Sequence, residues 1–181
     1  VIHSDTPLQD LEITRRRSLS VRDFFERFRE EMELTFLSAE EQCNSFITQS
    51  TVNRPGLALA GFTDVYSHHR IQVLGSTEWA FLESMGEQHR QEVFHVLARF
   101  HAPLWILTHD LPPHEELLEM CNRYSMPLMK SKLATLKLVD DIQRVLEEWF
   151  APYCSLHASL VDVYGVGMLY VGASNIGKSE C

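Results

Sequence analysis

Short, mostly apolar runs alternate along this chain with longer segments of helical periodicity, and few folds accommodate that order. Strands are predicted at 46–52, 71–75, 104–108 and 126–129, and helices at 88–100, 114–124 and 133–150, with another helix whose N-cap is Ser76. Because two parallel strands need a long crossover connection, usually a helix, this order favours a parallel arrangement. The sequence therefore predicts an α/β fold with a mostly parallel sheet.

The first helix is predicted from its cap and from the spacing of its apolar residues. Ser20 is a suitable N-cap residue. After it, apolar residues recur at helical spacing, namely Val21, Phe24, Phe25, Phe28 and Met32. We expect this helix to end near Leu34 and its apolar stripe to pack in the core.

The character of the sequence changes near residue 150, which predicts a domain boundary. The last helix gives way to a β-type run at 156–164, a glycine-containing turn at 165–167 and a second apolar run at 168–171. We therefore divide the chain into an extension at 1–19, an α/β domain at 20–150 and the start of a second domain at 151–181. Because the sequence starts at Val1 and stops at Cys181, we expect a piece of a longer protein.

A phosphate-binding motif lies near the end of the sequence. Residues 172–179 read Gly-Ala-Ser-Asn-Ile-Gly-Lys-Ser and fit the P-loop pattern G-x-x-x-x-G-K-[ST]. The main-chain amides of such a loop form an anion nest, the lysine reaches the β- and γ-phosphates, and the serine hydroxyl binds Mg²⁺. The predicted phosphate-binding residues are Gly172, Ala173, Ser174, Asn175, Ile176, Gly177, Lys178 and Ser179, with Ser179 also the predicted metal ligand.

Two further polar residues lie on the predicted strand that pairs with the one leading into the P-loop. His157 could be brought towards the phosphates by that pairing, although from spacing alone a core or surface histidine is the more frequent case. Asp162 lies on the same strand, and we expect it to be structural or at the strand edge.

Composition excludes several classes of protein. The formal net charge is -9, and this argues against a sequence-independent nucleic-acid binder, whose affinity comes from cations on phosphates. No run reaches the length of about 18 apolar residues that a membrane span needs. The four cysteines, Cys43, Cys121, Cys154 and Cys181, are far apart and form no Cys-x-x-Cys pair, so we expect buried free thiols in a reducing cytoplasm.

Two parts of the sequence resemble the HPr kinase/phosphorylase family. One is the run at 156–167, continued by Gly172–Glu180. The other comprises Val52–Phe62, Arg70–Gly75 and Thr77–Leu82. The resemblance extends over roughly residues 20–181.

This resemblance implies a bacterial, cytoplasmic enzyme that controls carbon metabolism. Such an enzyme uses ATP or pyrophosphate, with Mg²⁺, to phosphorylate a serine of the phosphocarrier HPr, and it removes that phosphate by phosphorolysis. The resemblance also implies a homohexamer built mainly through the kinase domains, and an N-terminal domain like the first domain of the Mur ligases. His157 and Lys178 match active-site positions of the family. The family's catalytic aspartate and acidic Mg²⁺ ligand are absent from the sequence, so we expect the chain as given to be catalytically inactive.

Two other interpretations are open at this point. In one, the chain is a non-catalytic regulatory or interaction module whose residues 20–150 bind a nucleotide-like effector or a neighbouring subunit. In the other, it is an unrelated P-loop NTPase, which leaves the run at 53–62 without a role. We expect no nucleic-acid or membrane partner in any of these cases.

Overall fold

The computed structural model describes residues 13–38, 44–155 and 158–171. The chain divides into two compact units, one of Arg16–Phe150 and one of Val1–Arg15 together with Ala151–Cys181. We describe each unit by itself.

The first unit contains seven strands and six helices among its described residues. The strands are β1 (Leu19–Ser20), β2 (Leu34–Phe36), β3 (Phe46–Ile47), β4 (Val52–Asn53), β5 (Ile71–Leu74), β6 (Trp105–Leu107) and β7 (Leu128–Ser131). The helices are α1 (Val21–Phe28), α2 (Gly56–Leu59), α3 (Ser76–Glu83), α4 (Glu87–Ala98), α5 (Glu115–Arg123) and α6 (Thr135–Phe150).

A five-stranded sheet forms the centre of this unit, with the strand order β2-β7-β6-β5-β4. Strands β4, β5, β6 and β7 are parallel, and β2 pairs with β7 in the antiparallel direction. The predicted α/β fold with a mostly parallel sheet is therefore confirmed. A separate two-stranded antiparallel pair joins β1 to β3.

Helices cover both faces of the sheet. Leu74 and Leu107 pack on one face with apolar residues of α2, α3, α4 and α5. Val73 and Ile106 pack on the other face with residues of α1 and α6. All four residues of β5 and all three of β6 are buried, as expected for parallel strands covered on both sides.

The first helix is shorter than the apolar spacing predicts. It ends at Phe28 rather than near Leu34, and turns follow it. Glu33 has a φ of 48°, in the left-handed region, which interrupts helical winding. Leu34 is then free to pair with Ser131 at the start of strand β2, an edge strand that the sequence did not predict.

The predicted strand at 46–52 is two strands in different sheets. Ile47 pairs with Leu19 in the small sheet, whereas Val52 pairs with Ile71 at the edge of the large one. The chain bends between them, so one continuous strand was the wrong interpretation.

The N-cap of α3 is Gly75 rather than the predicted Ser76, because Ser76 is already the first helical residue. The other predicted elements differ from the structure by one to two residues at their ends.

The second unit contains an antiparallel hairpin of strands β8 (Ala158–Val163) and β9 (Val166–Val171). Its turn is Tyr164-Gly165, with φ values of 53° and 81°, which matches the two-residue turns typical of tight hairpins. The main-chain N–H of Gly165 donates to Oδ1 of Asp162 at 2.9 Å. The predicted hairpin and the structural role of Asp162 are thus confirmed.

The cysteines differ from the expectation in one respect. Cys121 is a buried free thiol, whereas Cys154, also free, is exposed. Cys43 and Cys181 lie outside the described residues. Over the described ranges, no helix is long and apolar enough to cross a membrane.

Candidate functional site

The predicted phosphate site cannot be built from the structure. Its residues, Gly172, Ala173, Ser174, Asn175, Ile176, Gly177, Lys178 and Ser179, lie outside the described part of the chain, as does His157. Their roles therefore remain predictions. What the structure describes is the hairpin beside them in sequence, since β9 ends at Val171, immediately before Gly172.

The hairpin presents apolar side chains on both of its faces. The paired residues Leu160 and Leu169 share one face and are 73% and 55% exposed. The paired residues Val161 and Met168 are exposed on the opposite face. Because a two-stranded hairpin is marginally stable on its own in water, strands of this kind normally need further partners.

A buried carboxylate organises the other run of the sequence, between residues 52 and 82. The Glu78 side chain is only 7% exposed. Its Oε2 accepts a hydrogen bond from the guanidinium of Arg54 at 2.9 Å and from the main-chain N–H of Gly75 at 3.0 Å. Glu78 lies in the first turn of α3, where the helix dipole favours a negative charge. The carboxylate therefore joins the end of β4 to the start of α3.

A buried amide ties the neighbouring loop to the sheet. Gln72 is fully buried in β5, and its Oε1 accepts from Nδ2 of Asn53 at 2.8 Å. Its Nε2 donates to the carbonyls of Ser67 and Arg70. A buried amide needs such partners, because an unpaired polar group in the core is costly. Gln72 thus fixes the entry of the chain into β5.

The start of α6 approaches the end of β5 so closely that a side chain at position 75 would clash with it. A Cβ atom on Gly75 would lie 2.6 Å from Oγ1 of Thr135 and 3.2 Å from Oε2 of Glu78. The Thr135 hydroxyl lies 2.8 Å from that of Thr108, which is itself 3.3 Å from the Leu74 carbonyl oxygen. These contacts bring the ends of β5 and β6 together with the start of α6.

The carboxyl edge of the sheet also carries an exposed ion pair. Nζ of Lys130 lies 2.5 Å from Oδ1 of Asp110, and this hydrogen-bonded cation lowers the pKa of Asp110. Asp110 and the preceding His109 both adopt left-handed φ values, of 53° and 57°. Their backbone N–H groups donate to the carbonyls of Ser131 and Leu133. The turn is thus held by hydrogen bonds to the end of β7 and to the segment that follows it.

These contacts give a structural role to Arg54, Gln72, Gly75 and Glu78, which all lie in the run at 52–82. Arg54 and Glu78 bind one another although they lie in different elements, and nothing local in the sequence indicates their pairing. Across the described ranges, no group of three histidine, cysteine or acidic residues is arranged to hold a metal ion. The contacts described above fix strand ends to helix starts.

Comparisons with known proteins bear on both units. The family model described as HPr Serine kinase N terminus matches residues 19–146. A curated relative from Chlorobium phaeovibrioides, named HPr kinase/phosphorylase, is 37% identical over 168 residues, covering 92% of this chain and 51% of the relative. Relatives of the same name from Bacillus subtilis and Clostridium acetobutylicum are 37% and 40% identical, covering 83% and 72% of this chain and 49% and 43% of the relatives.

The chain spans about half the length of the curated relatives it matches. A solved structure of the CBS and DRTGG domains of a Clostridium perfringens pyrophosphatase is also similar, with a TM-score of 0.28 and 11% identity over 75% of this chain and 76% of that one. At that TM-score the likeness carries no argument.

Proposed function

This chain belongs to the HPr kinase family, as a member of its N-terminal domain family, and from that premise we propose that the whole protein is a serine kinase/phosphorylase. Its substrate would be an HPr-type phosphocarrier, phosphorylated on a serine and dephosphorylated by phosphorolysis, in control of carbon metabolism. The observation that carries the proposal is the P-loop pattern at 172–179, which follows directly on strand β9 in a chain of this family.

We assign phosphate binding to Gly172–Ser179. Their main-chain amides suit the phosphates of ATP or pyrophosphate, and Lys178 would stabilise negative charge on the transferred phosphoryl group. The hydroxyl of Ser179 is a hard oxygen ligand of the kind Mg²⁺ prefers. Bound there, Mg²⁺ would supply further charge neutralisation at the phosphates.

His157 is the second proposed active-site residue. It immediately precedes β8, the strand paired with the one that leads into the P-loop. A histidine there would hydrogen-bond a phosphate oxygen or orient the carboxylate that exchanges a proton with the substrate serine. The same acid/base group would take the serine proton in the kinase direction and return it in the phosphorolysis direction.

The proposal includes the organisation of the whole protein. Residues 20–150 would form a Mur-ligase-like N-terminal domain, and residues from 151 onward would begin the kinase domain. We propose a homohexamer in the bacterial cytoplasm, as the family resemblance implies.

The test is a substitution at Lys178 in the whole protein. Lys178→Ala should lower both phosphoryl transfer to HPr and phosphorolysis of phosphorylated HPr by about 10²-fold or more, because charge stabilisation of the transferred group is lost. Lys132→Ala, at an exposed position of the other unit, is the matched control and should leave both rates unchanged. The two rates are measured with radiolabelled phosphate. Wild-type rates in the Lys178→Ala protein would refute the assignment of the loop.

A further inference from the structure

The stretch at 13–18, which we call the strap, is paired with the exposed segment 151–155, which we call the linker. All residues of the strap are exposed, so it adds no buried side chain to the core. Main-chain hydrogen bonds hold it instead. The N–H of Thr14 donates to the Tyr153 carbonyl at 2.9 Å, and the N–H of Tyr153 donates to the Thr14 carbonyl at 2.9 Å. Thr14 and Tyr153 therefore form a hydrogen-bonded antiparallel pair.

A second set of contacts holds the strap where α6 ends. Trp149 lies in the last turn of α6, and its indole N–H donates to the Ser18 carbonyl at 3.2 Å. The guanidinium carbon of Arg16 lies 4.2 Å from the centroid of a Trp149 ring, and that of Arg27, on α1, lies 5.1 Å away. A guanidinium is attracted to the face of an aromatic ring, and most strongly to that of tryptophan. Trp149 thus holds the strap through both Arg16 and Ser18.

The two sets of contacts share one antiparallel alignment. Thr14 and Ser18 are separated by as many residues as Tyr153 and Trp149, so each step along one segment is matched by a step back along the other. The two segments therefore run side by side between these contacts.

The contacts of the strap lie on both sides of the division between the compact units. The chain passes from one unit to the other twice, once within the strap and once where α6 meets the linker. The pair of Thr14 with Tyr153 lies in one unit, and the Trp149 contacts lie in the other. A single chain segment has rotational freedom about each of its backbone bonds. The strap reduces that freedom, because a rotation in the linker must also move the segment paired with it.

We propose that the strap is a conformational device: it holds rigid the linker through which the second unit is attached, and its release makes the linker flexible. An exposed segment without buried side chains can detach without unfolding the core. The contact of Arg16 with Trp149 holds the strap in place, so losing it should weaken the pair of Thr14 with Tyr153. The inference is independent of the proposed phosphate loop, because it uses no residue of 172–179.

The experiment compares ¹⁵N NMR order parameters of the linker amides in the 181-residue chain and in two truncated forms. Deleting residues 1–17 removes Thr14 and Arg16, and the order parameter of the Tyr153 amide should fall from about 0.85, typical of rigid backbone, to below about 0.6. Deleting residues 1–12 keeps the strap and should leave that value unchanged. Unchanged order parameters in the central sheet would show that both forms remain folded.

Single substitutions test the coupling without shortening the chain. Arg16→Ala should raise the hydrogen-exchange rate of the Tyr153 amide about threefold, because the attraction to the Trp149 ring is lost. Arg17→Ala makes the same charge change one residue along, outside the Trp149 contacts described above, and should leave this rate unchanged. The proposal is overturned if the linker stays rigid without the strap or if deleting residues 1–12 loosens it equally. Equal exchange rates in the Arg16→Ala and Arg17→Ala chains would also overturn it.

Discussion

Replacing Gly75 with alanine tests the close approach between the start of α3 and the start of α6. The backbone of Gly75, with φ of -94° and ψ of -175°, is one that alanine adopts without strain. The cost must therefore come from the new methyl group, which would lie 2.6 Å from Oγ1 and 3.3 Å from Cγ2 of Thr135. Over-packing of this kind costs about 1–3 kcal/mol, so Gly75→Ala should lower the free energy of unfolding by that amount.

A matched control separates this clash from the general effects of removing a glycine. Gly86 is also the N-cap of a helix, and a Cβ atom added there would meet nothing within 4 Å. Gly86→Ala therefore reports the change in capping preference and in unfolded-chain entropy, each under about 1 kcal/mol and opposite in sign. The difference between the two variants, measured by urea unfolding followed by circular dichroism, gives the cost of the contact.

A second substitution should relieve the clash. Thr135→Ala removes the two Thr135 atoms near the new methyl group, and only the 3.2 Å contact with Oε2 of Glu78 remains. By itself Thr135→Ala costs about 0.5–1.5 kcal/mol because the hydrogen bond between the Thr108 and Thr135 hydroxyls is lost. In the double variant the methyl group at position 75 occupies the vacated space. The two changes should therefore be less destabilising together than their sum, by about 1 kcal/mol or more. Strict additivity, or a Gly75→Ala variant as stable as Gly86→Ala, would show that the reasoning is wrong.

Two further predictions concern titration and thiol chemistry. Because burial and Arg90 lower the pKa of His114, the unfolded chain binds more protons than the folded one below about pH 6.5, so stability should fall as the pH drops from there. Urea unfolding at several pH values should show a shallower fall for His114→Phe, and an identical slope would contradict the prediction. With the other two cysteines changed to serine, Cys154 should react with an alkylating reagent under native conditions, whereas buried Cys121, whose pKa burial raises, should not. Peptide mass spectrometry distinguishes the two sites, and equal labelling of both would count against the structure of this core.

The sequence predicted the central strands because their signal is local. Strands β5 and β6 are buried throughout, so each appears as a short apolar run between helical segments. Strand β2 gave no such signal, because Leu34–Phe36 continues a helical spacing and its partner Ser131 lies almost a hundred residues further on. The pairing of β2 with β7 outweighs the local helical spacing of the apolar residues, and this pairing forms only when the whole unit has folded.

The same distinction applies to the functional residues. A P-loop is visible in a sequence because eight consecutive residues build it. The surroundings of His114 are not, because Trp79, Arg90 and His114 are far apart in sequence and come together only once α3, α4 and α5 have packed. Gly75 likewise has no unusual backbone angle to mark it, and its requirement for a small residue is set by Thr135.

The lengths of the exposed edge strands determine where copies of this chain would self-associate. The large sheet ends in β4 and β2, of two and three residues, and so short an edge offers few free backbone groups to a neighbouring molecule. The hairpin is different, since β8 and β9 are six residues each and water-exposed apolar side chains project from both sides. In concentrated solution, self-association and aggregation of the 181-residue chain should therefore begin at the hairpin.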